Sequence, residues 1–274
     1  MASRVTFIGA GNMAGAIIGG MIDNGHPATA ITATSPSDDV LAPLRERFGI
    51  RTDTDNATAI RDADVVVLAV KPQIMRGVCE GLRDTLQRQR PLVISVAAGL
   101  TAESLQAWMG GGLPLVRCMP NTPSLVGAGA AGLYATAEVS NEQRSLASEL
   151  LEAVGIAEWV EEEGLLDAVT AVSGSAPAYF FLMFEAMEEA GVKLGLPAET
   201  ARRLAIQTAL GAARMAQSSE FPPDRLKRNV MSPGGTTERA IEHLEQAGLR
   251  QIMAEAMEAC AARAQEMAEE LGKR

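Results

Sequence analysis

The sequence predicts an α/β fold in which a doubly wound parallel sheet over residues 1–162 is followed by an all-α domain over residues 163–274. Two observations carry this. Short β-branched apolar runs alternate with helical stretches through about residue 160, the pattern of a parallel sheet with crossover helices. After Glu161-Glu162-Glu163 such runs become rare, and long stretches rich in Ala, Met, Leu and Glu take over. A chain of 274 residues accommodates one large or two ordinary domains.

The first strand, Val5-Thr6-Phe7-Ile8, runs into Gly9-Ala10-Gly11-Asn12-Met13-Ala14, a Gly-x-Gly-x-x-Ala turn that opens a helix ending near Asn24-Gly25. In this pattern Gly9 permits a tight turn, Gly11 lets a pyrophosphate approach the backbone, and Ala14 keeps helix and strand close. The free amides of the helix start favour an anion. A glycine pair alone is compatible with an ordinary turn, but its placement between an opening strand and a helix reads as Rossmann-type dinucleotide binding. The second strand, near residues 31–35, ends in Thr34-Ser35-Pro36-Ser37 rather than in the usual ribose-binding carboxylate. Hydroxyls there suit a 2′-phosphate, so NADP is expected over NAD, with NADPH preferred and NADH possible.

The remaining elements follow in order. A helix over residues 37–48 ends at Gly49, and a turn at 53–56 precedes a short helix. Asp64-Val65-Val66-Val67-Leu68-Ala69-Val70 reads as a strand buried on both faces. Lys71-Pro72 then starts a helix, leaving Lys71 at a strand's carboxyl end, either touching a cofactor or simply exposed. Residues 92–97 form the next strand, and Ala97-Ala98-Gly99 either admits a nicotinamide ring or packs a tight turn. Thr101 caps the following helix. Strands over residues 115–119, 130–135 and 156–160, the rigid loop Pro120-Asn121-Thr122-Pro123, and a helix over 141–154 with a Ser140/Gln143 capping box complete the first domain.

In the second domain helices are expected over residues 165–193, interrupted at Ser173-Gly174-Ser175-Ala176-Pro177, and over 197–218, 237–245 and 249–271. Ala201, Leu204, Ala205, Thr208, Ala209 and Ala212 form a small-residue stripe, as do Ala254, Met257, Ala261 and Ala264. With few aromatics the core is thin, so dimerisation is expected to complete it, a self-contained bundle being the alternative. Arg225, Lys227 and Arg228 read as a solvated basic face. Met231-Ser232-Pro233-Gly234-Gly235-Thr236-Thr237 presents successive amides and hydroxyls at a helix start, suited to a carboxylate or to a plain capped turn.

Composition sets further expectations. Hydrophobic residues make up 47% and charged residues 21% of the chain, and no apolar run is read as reaching the roughly 18 residues of a membrane span. The start Met1-Ala2-Ser3-Arg4 enters a strand directly, so a signal peptide is not expected and the cytoplasm is the expected compartment. Cys79, Cys118 and Cys260 lie without metal or redox spacing and read as buried thiols; His26 and His243 have no ligand cluster, so metal binding is not expected. A net charge of −10 argues against nucleic acid and anionic membrane as partners.

The glycine turn, Ala69-Val70-Lys71-Pro72, Pro120-Asn121-Thr122-Pro123, the stretch from Asp167 through Ser173-Gly174-Ser175-Ala176-Pro177 to Tyr179, and Met231-Ser232-Pro233-Gly234-Gly235-Thr236-Thr237 together closely resemble pyrroline-5-carboxylate reductase, in order and spacing over nearly the whole chain. The resemblance implies that NAD(P)H reduces 1-pyrroline-5-carboxylate to L-proline, the last step of proline biosynthesis. It also implies a helix-swapped homodimer, often built into a decamer, with each active site shared between one subunit's nucleotide domain and its partner's helices. By position it assigns Gly9, Ala10, Gly11, Asn12 and Met13 to the pyrophosphate loop. Ser35 and Asn56 fall to the adenosine side, Val70, Lys71, Pro72 and Ala97 to the nicotinamide half, and Asn229 to the cofactor as well. Ser232, Gly235, Thr236 and Thr237 would bind substrate with Glu163 nearby, and Thr237 is the catalytic candidate.

A cyclic imine accepts hydride readily once its nitrogen is protonated, so the Thr237 hydroxyl is expected to orient that nitrogen rather than act as a strong acid. The β-hydroxyacid dehydrogenases share the architecture but rely on a lysine in the long helix, and residues 169–189 contain none. Another imine reductase and a non-enzymatic NADP-binding sensor are the remaining alternatives.

Overall fold

The computed structural model describes residues 2–272. It divides into two compact units, Met1–Ser175 with Ala259–Arg274, and Ala176–Glu258.

The first unit holds an eight-stranded sheet in the order β3-β2-β1-β4-β5-β6-β7-β8. Its elements are β1 (Val5–Ile8), α1 (Asn12–Asp23), β2 (Ile31–Thr34), α2 (Asp38–Phe48), β3 (Arg51–Asp53), α3 (Asn56–Ala59), β4 (Val65–Leu68), α4 (Pro72–Gln89), β5 (Leu92–Ser95), α5 (Ala102–Met109), β6 (Leu115–Met119), β7 (Gly129–Ala135), α6 (Asn141–Glu152), β8 (Gly155–Trp159) and α7 (Leu165–Val169). Strands β1, β4 and β5 are buried at every position because helices cover both faces. Alternate residues serve opposite layers: Phe7, Val67 and Ile94 join Ile18 of α1 and Leu151 of α6, whereas Ile8, Leu68 and Val93 join Leu82 of α4 and Leu105 of α5.

Local chemistry sets the helix ends. Ser140 Oγ accepts the Gln143 amide at 3.2 Å while the Ser140 amide donates to Gln143 Oε1 at 3.0 Å, the expected capping box. Thr101 Oγ1 accepts the Ser104 amide at 3.1 Å, and Gly49 closes α2 in the left-handed region at φ 68°.

Two features of the sheet depart from the sequence reading. The turn expected at 53–56 follows a further strand, β3, whose partly exposed Arg-Thr-Asp edge carries no hydrophobic signature. β7 runs antiparallel to β6, because the short connection over residues 120–128 lacks the length of a parallel crossover.

The second unit comprises α8 (Ala176–Lys193), α9 (Ala198–Ser218), α10 (Pro223–Val230), α11 (Thr236–Gln246) and the first turns of α12 (Leu249–Gly272), whose remainder belongs to the first unit. The basic stretch read as a bare face is in fact α10, entered through Pro222-Pro223. Lys227 pairs with Glu245 at 3.2 Å, and Arg250 pairs with the same carboxylate at 2.8 Å. α8 and α9 approach at Gly191, where an added Cβ would lie 2.9 Å from that of Ala201. The expected stripe on α9 is split: Ala201 and Ala205 are buried, whereas Leu204 is exposed. Among the described residues the buried apolar side chains of this unit are only Ala176, Ala201 and Ala205, while Phe180, Phe181, Leu182 and Met215 are exposed.

Leu165–Lys193 is helical over 29 residues with a hydropathy of 1.3, long and apolar enough to cross a membrane by length and composition. This corrects the expectation that no stretch reaches that length. The helix does not break at Pro177 because residues Thr170–Gly174 form a π turn that absorbs the irregularity.

Candidate active site

The crevice at the carboxyl ends of β1 and β4, where strand order reverses, is the ligand position in open α/β sheets. Gly9 turns the chain there at φ 106°, and a Cβ on it would stand 2.6 Å from the Ala69 carbonyl oxygen, so only glycine fits. Backbone bonds stitch the adjoining loops together: Gly9 N to Thr34 O at 3.1 Å, Ala69 N to Ile8 O at 2.8 Å, and Val96 N to Leu68 O at 3.1 Å. Gly11 differs: a Cβ there meets nothing within 4 Å, leaving open space over the start of α1. As N-cap it offers no side chain to the first amides, and no acidic residue stands in that turn.

Further cofactor candidates belong to the same unit. Ala10, Asn12 and Met13 lie on it, and Ser35 directly follows β2, where its Oγ accepts the Ser37 amide at 3.3 Å. Asn56 opens α3, beside the Asp55 carboxylate that caps Thr58. Val70 packs against Gly9, exposed Lys71 is the N-cap of α4, Pro72 occupies its first turn, and Ala97 is buried just past β5.

Beside Ala97 lies a cavity of about 230 Å³ bordered by the 97–99 turn, the end of β6, α7 with its π turn, and the last part of α12. Arg117 and Asp167 line it. Glu163 Oε1 accepts both the Arg117 Nη1 proton at 2.6 Å and the Ala102 amide at 2.5 Å. One turn further, burial pushes the Asp167 carboxyl above the usual range, against the pull of a Gln265 hydrogen bond and the Arg117 charge. The sequence reading did not single out Arg117 or Asp167. A charged residue inside the apolar run Leu115-Val116-Arg117-Cys118-Met119 was the available signal, because a buried charge requires a partner.

The Pro120-Asn121-Thr122-Pro123 loop supports the π turn. Buried Asn121 donates from Nδ2 to the Ser173 carbonyl at 3.0 Å and accepts the Ala130 amide at 2.9 Å. Pro177 has no N–H to offer Ser173, four residues back, so Asn121 satisfies the carbonyl instead. Thr170 and Ser173 turn their hydroxyls onto the carbonyls of Leu166 and Val169 at 2.8 and 3.0 Å. Ser175 Oγ accepts from the Cys260 thiol at 3.2 Å.

In the second unit the 232–235 turn is closed by Gly235 N donating to Ser232 O at 2.9 Å. Gly234 takes φ 70° and donates to Glu238 Oε2 at 2.6 Å. α11 then begins at Thr236 with Gly235 as an N-cap that makes no side-chain bond. Ser232, Gly235, Thr236 and Thr237 therefore share one stretch, and Asn229 lies in the last turn of α10 just before it. Glu163 belongs to the first unit.

Residues 163–267 match the family described as pyrroline-5-carboxylate reductase dimerisation, and residues 4–99 that described as NADP oxidoreductase, coenzyme F420-dependent. A pyrroline-5-carboxylate reductase of Pseudomonas aeruginosa is 52% identical over 98% of either chain. The chain belongs to the pyrroline-5-carboxylate reductase family. A solved pyrroline-5-carboxylate reductase of Coxiella burnetii matches at a TM-score of 0.96 and 46% identity, covering 98% of this chain and 99% of that one. A Plasmodium falciparum pyrroline carboxylate reductase with NADP bound matches at 0.83 and 29% identity, over 97% and 98%. The family's dimerisation region spans the exposed apolar helices α8 and α9, which accounts for their missing core: the chain associates with a further copy of itself.

Proposed function

We propose that this chain is an NADPH-dependent oxidoreductase that reduces 1-pyrroline-5-carboxylate to L-proline, the last step of proline biosynthesis. The observation that carries the cofactor reading is the contrast at the glycine turn: Gly9 is locked against Ala69 while Gly11 leaves a cradle open over a helix start. The hydroxyls of Ser35 and Ser37, with no carboxylate at the end of β2, favour a 2′-phosphate over a bare ribose, and so NADPH over NADH.

NADPH, when bound, supplies the hydride delivered to the imine carbon. The chain's own residues place the acceptor. Amides of the 235–237 turn at the start of α11 hold the substrate carboxylate, with Ser232 and Thr236 beside it, and the Thr237 hydroxyl orients the ring nitrogen. The Glu163 carboxylate favours the protonated iminium electrostatically. Asn229 approaches the cofactor from α10. Positioning of donor against acceptor supplies much of the rate. The shared-site arrangement, with nucleotide loops from one subunit and the 232–237 turn from another, follows from the dimer, and a decamer of such dimers in the cytoplasm is the finer reading. The apolar surface of Leu165–Lys193 is buried against a protein partner rather than in lipid.

Loss of NADPH absorbance with purified protein and 1-pyrroline-5-carboxylate tests the reaction, with NADH in parallel to rank the cofactors. No oxidation of either would refute it. Thr237→Ala should lower turnover across the pH profile; undiminished turnover at all pH values removes Thr237 from the mechanism. Light scattering reads the assembly, and a monomer contradicts a shared site.

A further inference from the structure

We propose that Arg117 is a positioning residue for this reaction, clamping Glu163 so that one carboxylate oxygen is fixed and the other is presented to the substrate nitrogen. The proposal rests on the reading of Glu163 as a substrate-side group.

Three observations lead to it. First, the pair is sheltered: the Arg117 side chain is 13% exposed and that of Glu163 28%, unlike the ion pairs elsewhere on this chain that face water. A sheltered pair holds one geometry, whereas an exposed pair is screened and mobile. Second, both bonds converge on a single oxygen, Oε1, which receives Arg117 Nη1 at 2.6 Å and the Ala102 amide at 2.5 Å. Among the described residues Oε2 has no hydrogen-bond partner, so the carboxylate keeps one acceptor oxygen for a cationic N–H. Third, the clamp is joined to the nicotinamide side. Ala102 is the first residue of α5, directly after the 97–101 segment, so Glu163 ties the far end of that turn to β6. Arg117 thus anchors to β6 the carboxylate that also holds the Ala102 amide at the far end of that turn. Asp167 lines the same cavity and repels Glu163, and the Arg117 charge lies close enough to act on it.

Arg117 reaches Glu163 from within a strand through a single Nη1–Oε1 bond, and lysine would put a point charge on a flexible stem in its place. Truncation to methionine keeps most of the apolar stem and removes the clamp.

The test uses the full-length enzyme and steady-state kinetics with 1-pyrroline-5-carboxylate, together with NADPH binding by nicotinamide fluorescence. Arg117→Met should lower kcat/KM for the imine at least tenfold, chiefly through KM, while the NADPH dissociation constant stays within threefold. Arg117→Lys should recover part of that loss. In Arg117→Met/Glu163→Gln the loss should not exceed that of the worse single variant, since both remove one unit. Arg117→Met kinetics within twofold of the parent, or losses that multiply in the double variant, overturn the proposal. If Arg117→Met does not fold, the same cycle is run with Arg117→Lys, and multiplying losses overturn it there. Glu163→Gln at parental kcat/KM removes the substrate reading of Glu163 and the proposal with it. An impaired Glu163→Gln beside an unimpaired Arg117 variant refutes the clamp alone.

Discussion

Gly9 and Gly11 stand two residues apart in one motif, yet alanine at each should fail in a different way. At Gly9 the backbone sits at φ 106°, and the new methyl would lie 2.6 Å from the Ala69 oxygen and 2.8 Å from its carbonyl carbon. A left-handed conformation costs a non-glycine residue about 1–2 kcal/mol. Forcing a methyl into packed backbone adds about 1–3 kcal/mol. Together Gly9→Ala should destabilise the first unit by about 2–5 kcal/mol, and at about 2–4 °C per kcal/mol the melting temperature should fall by some 4–20 °C. At Gly11 the backbone has φ −77°, open to any residue, and the methyl meets nothing. Losing glycine as N-cap costs about 1 kcal/mol at most. The added methyl instead stands where a pyrophosphate must approach. Gly11→Ala should therefore melt within a few degrees of the parent without cofactor but bind NADPH at least about tenfold more weakly, a loss of about 1.4 kcal/mol. Differential scanning fluorimetry without cofactor and a fluorescence titration with NADPH separate the two. A Gly9→Ala protein with parental melting, or a Gly11→Ala protein with parental NADPH affinity, refutes the reasoning.

Two further outcomes follow from buried polar groups. Asn121→Ala leaves the Ala130 amide and the Ser173 carbonyl unpaired and should cost about 2–4 kcal/mol in denaturant unfolding. The nearly isosteric Asn121→Asp keeps the acceptor for the Ala130 amide but loses the donor to Ser173 and should also destabilise; a harmless aspartate would show that the donor bond contributes nothing. For Asp167 the sign follows from a raised carboxyl. The folded chain keeps a proton that the unfolded chain releases above about the ordinary 3.8, so stability falls as pH rises through that window and the penalty persists at neutrality. Asp167→Asn should thus melt above the parent at pH 7, with the gap closing towards pH 4, and a gap that widens on acidification contradicts the burial argument.

The sequence made the nucleotide half legible because its signals are local. The strands that became β1, β4 and β5 are continuous apolar runs, and the Ser140 box and the Gly9 turn are short motifs with one structural solution. β3 escaped because an edge strand of Arg51, Thr52 and Asp53 needs no apolar residues. The reversal of β7 was hidden because strand direction is set by connection length, not by strand composition. The 9–13 stretch stands out as a site candidate by its glycine turn, whereas the 69–72 and 232–237 stretches become candidates chiefly through the family resemblance, since each also reads as an ordinary helix start. Arg117 and Asp167 could not be placed from sequence alone, because their partners Glu163 and Gln265 are far away in the chain.

The segment that passes for a membrane span, Leu165–Lys193, lies within the 163–267 region matched as dimerisation, and its polar residues decide between the two. α8 carries Glu185, Glu188 and Glu189 in its second half, and a carboxylate at mid-membrane costs about 2.5–3.5 kcal/mol on insertion scales. Glu188 instead forms a two-pronged pair with Arg202 of α9, at 2.6 and 2.7 Å, which holds the two helices edge to edge. The exposed phenylalanines, Phe180 and Phe181, lie in the first half of the same helix, about two turns from that pair. A surface that is apolar at one end and ion-paired at the other suits a protein interface with a polar rim. It does not suit lipid, which would strand the charges, nor bulk water, which would leave Phe180, Phe181 and Leu182 uncovered. The alanine-only interior of the second unit is then no defect of packing: small residues bring α8 and α9 close, and the large side chains are turned outward to make a core with another copy.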